Sequence, residues 1–230
     1  MGHPAETSPQ MENGYAREGT SVADRAHEII WVSGLSLAAS GVPTEFIRQT
    51  TDNIFRLFKD PHLQGATQRD ERLAHLQHIG NTAFDWEEIA RRALAIHWRE
   101  RTPQERQQFA ELFRDAVQGM YLQRLEVAAQ EQLQDIPAIR YMGEQVDGQR
   151  AMVRTTVVTR RGREVPMDYR LRHSDGQWRI YDIVIMGVSL VNNYRIQFQR
   201  IITQSSYEEL VRQTQARQLG AVFETPQTSR

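Results

Sequence analysis

The sequence holds no cysteine. Disulfides, thiolate nucleophiles and cysteine-ligated zinc are therefore excluded, and either an oxidising or a reducing compartment suits the chain. Lysine is almost missing too. Lys59 is the only one, so positive charge rests on arginine, which reflects genome base composition more than chemistry. Neither sign of charge dominates: 28 basic against 29 acidic residues leave a net charge of −1. No strong field draws the chain to nucleic acid or to an anionic membrane. Nowhere does an apolar run reach the roughly 18 residues of a spanning helix. A nucleophile elbow, P-loop, dinucleotide fingerprint and HExxH motif are all missing, as are internal repeats and low-complexity tracts.

What is present suffices for a folded domain. The chain has 230 residues, 40% of them hydrophobic, which can bury a real core. Residues 1–28 show no apolar periodicity and read as a disordered lead. Ile29–Gly41 (IIWVSGLSLAASG) is short, apolar, preceded by Arg25 and His27, and ends in small residues. Those are the parts of a secretory signal, although the long polar lead before it equally suits a surface segment. The folded domain is expected over residues 42–219, with a loose tail over 220–230.

The first half of that domain reads as helix. Thr44 is a candidate N-cap, with Ile47, Thr51, Ile54 and Phe58 on one face until Asp60-Pro61. A second helix turns Leu73, Leu76 and Ile79 inward and ends at Gly80-Asn81. Asp85 and Glu88 form a capping box for a third helix that runs to about Arg99, with Ile89, Ala93 and Leu94 inward. Thr102, Pro103 and Glu105 supply the strongest local signal: a cap, a proline at the first helical position and a closed box. The long helix beyond, to about Gln130, carries Phe109, Leu112, Phe113, Ala116, Val117, Met120 and Tyr121 as a stripe.

After Pro137 the period changes from 3.6 to 2, and residues 138–145 read as a first strand. The Arg160-Arg161-Gly162 loop pairs Val157 with Val165, Thr155 with Met167 and Val153 with Tyr169. The Asp175-Gly176 turn pairs Leu171 with Ile180, Tyr169 with Asp182 and Met167 with Val184. Both turns put the apolar sets on one face, giving an antiparallel sheet of about four strands. A helix carrying Leu190, Tyr194, Phe198, Ile201 and Ile202 follows, then a last one from about Ser206 to Leu219.

The expected fold is α+β: helices wrapped on one apolar face of a curved antiparallel sheet. Such an arrangement can leave a cavity lined by Val153, Val157, Met167, Tyr169, Leu171, Trp178, Ile180 and Val184, with Leu94, Val117 and Tyr121 facing them from the helices. The same pattern also suits a dry, filled core. Asp182 falls on the apolar face in this register, either as a general base in the cavity or as an acceptor for the Tyr169 hydroxyl and nearby N–H groups. His75 and His78, three apart, lack a third ligand and suit a solvated helix face, so no metal is expected. His97 suits a helix C-terminus. Arg160, Arg161 and Arg163 make a basic hairpin tip, of the kind that is usually only solvated.

Two stretches resemble the MlaC-type family of periplasmic phospholipid-binding proteins, also known as toluene-tolerance auxiliary proteins: FDWEEIARRALAIHWRERTPQERQQFAELFRDAVQGMYLQRLE (84–126) and WRIYDIVIMGVSLVNNYRIQFQRII (178–202). The order and spacing of elements extend the resemblance over about 42–215. It implies a fold similar to the nuclear-transport-factor type and a pocket that takes acyl chains, in which the residues named above would be lipid-binding. It further implies a monomeric periplasmic carrier with no cofactor and no catalytic residues. Its partners would be phospholipid, an inner-membrane ABC transporter complex and an outer-membrane lipoprotein complex. Two other readings stay open. One is an isomerase- or dehydratase-like enzyme with Asp182 as base and Tyr169 as donor. The other is an interaction module with a filled core.

Overall fold

The structure is a computed structural model that describes residues 42–63, 65, 67–132, 138–159 and 162–216, all within one unit, residues 40–230. The expectations for 1–41 and 220–230, and the Arg160-Arg161 pair, lie outside the described residues.

Helix α1 is Pro43–Lys59, α2 Arg69–Ala83, α3 Trp86–Leu94 and α4 Pro103–Gln132. Strands β1 (Ala138–Asp147), β2 (Arg150–Val158), β3 (Glu164–Ser174), β4 (Gln177–Ile185) and β5 (Val188–Ser189) follow, then helices α5 (Leu190–Gln204) and α6 (Tyr207–Gln215). The sheet is an antiparallel meander in the order β1-β2-β3-β4-β5. The α+β reading therefore holds, with five strands where about four are expected. The fifth arises because Met186 (φ 49°) and Gly187 (φ 82°) both adopt left-handed backbone, which closes a tight turn after Ile185. Methionine is a poor residue for such a turn, so the sequence gives little sign of it.

Local signals act as their chemistry dictates. At α4, Glu105 N–H donates to Thr102 Oγ1 at 3.2 Å and Thr102 N–H to Glu105 Oε2 at 2.7 Å, a reciprocal capping box. At α3 only half a box forms: Asp85 accepts from Glu88 N–H at 3.1 Å. The Glu88 carboxylate instead takes Arg91 Nε at 2.6 Å and Arg92 Nε at 2.7 Å. Burial raises the Glu88 pKa, but the hydrogen bonds and charges of Arg91 and Arg92 outweigh it and hold the group below its ordinary value. Asp85 N–H is free to donate to the Ile180 carbonyl at 2.9 Å. Arg172 Nη2, 2.6 Å from Asp85 Oδ2, ties the start of α3 to β3.

Some boundaries differ. Val42, not Thr44, precedes α1, since Pro43 at the first helical position fixes the start. Thr44 gives its N–H (2.8 Å) and hydroxyl (2.6 Å) to Glu144 on β1. Helix α2 runs through Gly80-Asn81 to Ala83, burying Arg72, Leu76 and Ala83. Helix α3 stops at Leu94 because Ala95 takes φ 50°, and Ala95–Trp98 form a 3₁₀ turn.

Two cores result. Helices α3, α4, α5 and α6 enclose Leu94, Phe109, Phe113, Tyr194, Phe198 and Leu210, joined by Tyr181 from β4. Phe113 meets Tyr194 and Phe198 edge-on, with both centroid distances 5.0 Å. The second core lies on the other face of the sheet. There Ile47 of α1 and Ala83 of α2 cover Ala151, Val153, Tyr169, Leu171, Trp178 and Ile180.

Candidate functional site: a sheet face covered at one end

Strand periodicity places Ile139, Tyr141, Val153, Thr155, Val157, Val165, Met167, Tyr169 and Leu171 on one face of β1–β3. The turn at Gly162 (φ 73°) gives the expected pairs Val157–Val165, Thr155–Met167 and Val153–Tyr169. Asp175 (φ 53°) and Gly176 (φ 76°) likewise give Leu171–Ile180.

Beyond that pair the expected register fails. Between Leu171 and Arg170 the β3–β4 ladder shifts by one residue, so Arg170 faces Asp182, Tyr169 faces Ile183 and Met167 faces Ile185. Tyr181 is the extra residue of a β-bulge. A bulge lets two successive side chains leave the strand on the same side. Tyr181 enters the helical core, with the Arg92 guanidinium 4.1 Å from its ring centroid. Asp182 turns the same way.

Asp182 is therefore not opposite Tyr169 and not on the apolar face. Its Oδ2 accepts from Arg170 Nη1 at 2.9 Å and from the Ser189 hydroxyl at 2.6 Å, and its Oδ1 accepts from Val191 N–H at 3.1 Å. Ser189 in turn accepts from Asn192 N–H at 3.0 Å and caps α5. A carboxylate saturated in this way at a helix N-terminus is an anchor for that helix. The base-and-donor pair of Asp182 and Tyr169 does not form.

The apolar face is unevenly covered. At the end near the Asp175-Gly176 turn, Val153, Leu171 and Ile180 are buried under Ile47, Ala83 and the half-buried Phe46 and Phe84. Helix α1 is pinned along β1 by Glu144, level with Val153, and by two contacts level with Thr155: the Thr51–Tyr141 hydroxyl contact at 2.9 Å and Arg48 over the Tyr141 ring at 4.2 Å. At the other end Ile139, Val157, Val165, Met167, Ile183 and Ile185 are only half-buried. They adjoin one another across four strands through the pairs Ile139–Val157, Val157–Val165 and Met167–Ile185. Tyr169 sits between the two ends. Its buried hydroxyl donates to Met167 Sδ at 3.2 Å, and burial first, then Tyr141, pushes its pKa well up. It stays a neutral phenol, and none of the described residues named on this wall carries a charge.

The cavity residues read from sequence divide accordingly. Val157 and Met167 lie at the half-covered end. Val153, Leu171, Trp178 and Ile180 belong to the filled end, and Tyr169 lies at its border with the half-covered end. Val184 lies on the opposite face, because the bulge reverses its phase. Leu94 and Val117 pack in the helical core and do not join the sheet cluster. Tyr121 lies beside Tyr194, whose hydroxyl is pushed to a much higher pKa by burial first and then by Tyr121. Sequence reading misses Ile139, Val165, Ile183 and Ile185. Ile139 and Val165 were legible as alternating strand residues, but Ile183 and Ile185 were hidden by the bulge. Among the described residues no group of His, Asp and Glu could hold a metal ion, and no helix is long and apolar enough to cross a membrane.

Comparison with known proteins bears on the family and the fold. The MlaC protein family matches residues 48–216. A relative from Pseudomonas putida, toluene tolerance protein ttg2D, is 23% identical over 165 residues, covering 71% of this chain and 74% of that one. A solved structure, the phospholipid-binding protein from Ralstonia solanacearum in complex with a phospholipid, shares the fold. Its TM-score is 0.61 at 24% identity, covering 75% of this chain and 94% of that one.

Proposed function

The chain belongs to the MlaC protein family, and on that premise we propose that it is a phospholipid carrier that holds acyl tails on the half-covered end of its sheet face. The observation behind this reading is the contrast along one face. Leu171 is fully buried while Met167, Val157 and Ile183 on the same face are not. A contiguous apolar patch that the fold covers only in part is a candidate binding surface.

Tail recognition suffices energetically. Each buried CH₂ contributes about 0.8 kcal/mol, so two acyl chains can be held without a charged anchor, and the wall offers none. Release would then be passive, to a partner that opens the pocket or offers an equally apolar environment. The carrier would work in the periplasm between an outer-membrane complex and an inner-membrane ABC transporter, catalysing no covalent step. The phospholipid in the R. solanacearum structure and the toluene tolerance named for the P. putida relative support the reading. An enzymatic alternative has lost its named base, since Asp182 is committed to α5.

A tail-held cargo makes a specific prediction. Delipidated chain incubated with vesicles and recovered by gel filtration will take up phosphatidylethanolamine and phosphatidylglycerol to within about threefold of each other, because no charge in the wall tells them apart. Uptake confined to one headgroup would contradict recognition by tails.

A further inference from the structure

We infer that the groove between the Ala95–Trp98 turn and α5 is a docking surface for an acidic, amphipathic helix of a partner protein. The groove has a volume of about 450 Å³. Ile96 and Ile196 line it at 62% and 61% exposure, among the most exposed large apolar residues described. Ile196 belongs to the block Asn193–Phe198, in which Tyr194 and Phe198 are buried in the helical core. Packing accounts for those two aromatics and makes no demand on position 196.

Hydrogen bonds tie the two sides of the groove together. Ala95 adopts φ 50°, a backbone conformation that side chains disfavour, and so turns the chain sharply out of α3. His97 Nε2 lies 3.1 Å from Gln199 Oε1, and Gln199 Nε2 donates to Thr203 Oγ1 at 3.0 Å, which joins the turn to α5. A preformed groove loses little entropy when it is filled.

Charge selects the occupant. Arg195 and Arg200 line the same groove. No described carboxylate pairs with either, and Arg195 Nη2 donates only to Asn192 Oδ1 at 2.5 Å. Two unneutralised guanidiniums beside two exposed isoleucines match a helix with apolar anchors flanked by carboxylates. A membrane surface is the poorer match, because lipid-binding patches gather about 4–8 cations. The inference stands on the groove and does not depend on the cargo.

The cysteine-free sequence allows a clean test. A Gln204→Cys variant carries an environment-sensitive fluorophore at the groove edge. The probe is a synthetic amphipathic helix of about 22 residues, beyond the length at which isolated helices are marginal, with leucines on one face and glutamates beside them. The fluorophore will shift on adding this peptide. It will not shift with the same peptide bearing Gln for Glu, with phosphatidylglycerol vesicles, or with excess unlabelled chain. R195E/R200E will weaken the response about tenfold and recover it with a Lys peptide, while I96S/I196S loses it; circular dichroism confirms that each variant is folded. No shift with the Glu peptide, or an equal shift with the Gln peptide, overturns the inference. So does a response to vesicles alone, which would make the groove a membrane contact, or to the unlabelled chain alone, which would make it a self-association surface.

Discussion

Met167→Asp will leave a folded protein that recovers at least about tenfold less phospholipid than wild type, because an ionised carboxylate against acyl chains must be desolvated with only the Tyr169 hydroxyl, now on Met167 Sδ, within reach to donate to it. Met167 lies at the centre of the half-covered patch, beside Thr155 on β2 and Ile185 on β4. Its side chain is half-buried, so aspartate can stay hydrated in the empty protein and the fold survives. Val157→Asp, one strand away, will act in the same way. Thr156→Asp, on the opposite face of the same strand, is the control and will retain its load. If Met167→Asp and Val157→Asp carry lipid as wild type does, the cargo lies elsewhere.

Asp182→Ala will lower stability by about 3 kcal/mol, since each buried group left without a partner costs about 1–3 kcal/mol. Asp182 is 4% exposed, and its removal orphans the Ser189 hydroxyl and the Val191 N–H. Arg170, whose side chain is 43% exposed, can turn to water and adds little. For a domain of this size the loss corresponds to a Tm lower by roughly 6–12 °C. Asp182→Asn keeps an acceptor oxygen and will lose less. Lipid uptake per folded chain will be unchanged in both variants. Uptake that collapses at unchanged Tm would mean that Asp182 acts on the cargo after all.

Much of this architecture was legible because local chemistry and tertiary need agree. Thr102, Pro103 and Glu105 specify the start of α4 by themselves, Gly162 fixes the whole β2–β3 register, and Gly176 fixes β3–β4 as far as Leu171–Ile180. Periodicity could not show the bulge at Tyr181. Its cause is tertiary: Tyr181 is wanted in the helical core and Asp182 at the start of α5, so two neighbours leave the strand on one side. Counting by two from Ile180 therefore mis-phased everything after it, moved Val184 onto the wrong face and hid Ile183 and Ile185. Leu94 and Val117 were misplaced for a related reason. A helical stripe says which face is inward, not which of two cores receives it. The uneven covering of the sheet was also invisible in sequence, since Val157 and Leu171 look alike until Ile47 and Ala83 join the cluster around Leu171 and leave Val157 half-buried.

The most direct test of the carrier account is native mass spectrometry of the purified chain, followed by lipid extraction. The expected result is a mass increment of one phospholipid per chain, lost from Met167→Asp and kept in Asp182→Ala. Chain that stays empty, both as purified and after incubation with phospholipid vesicles, would contradict it.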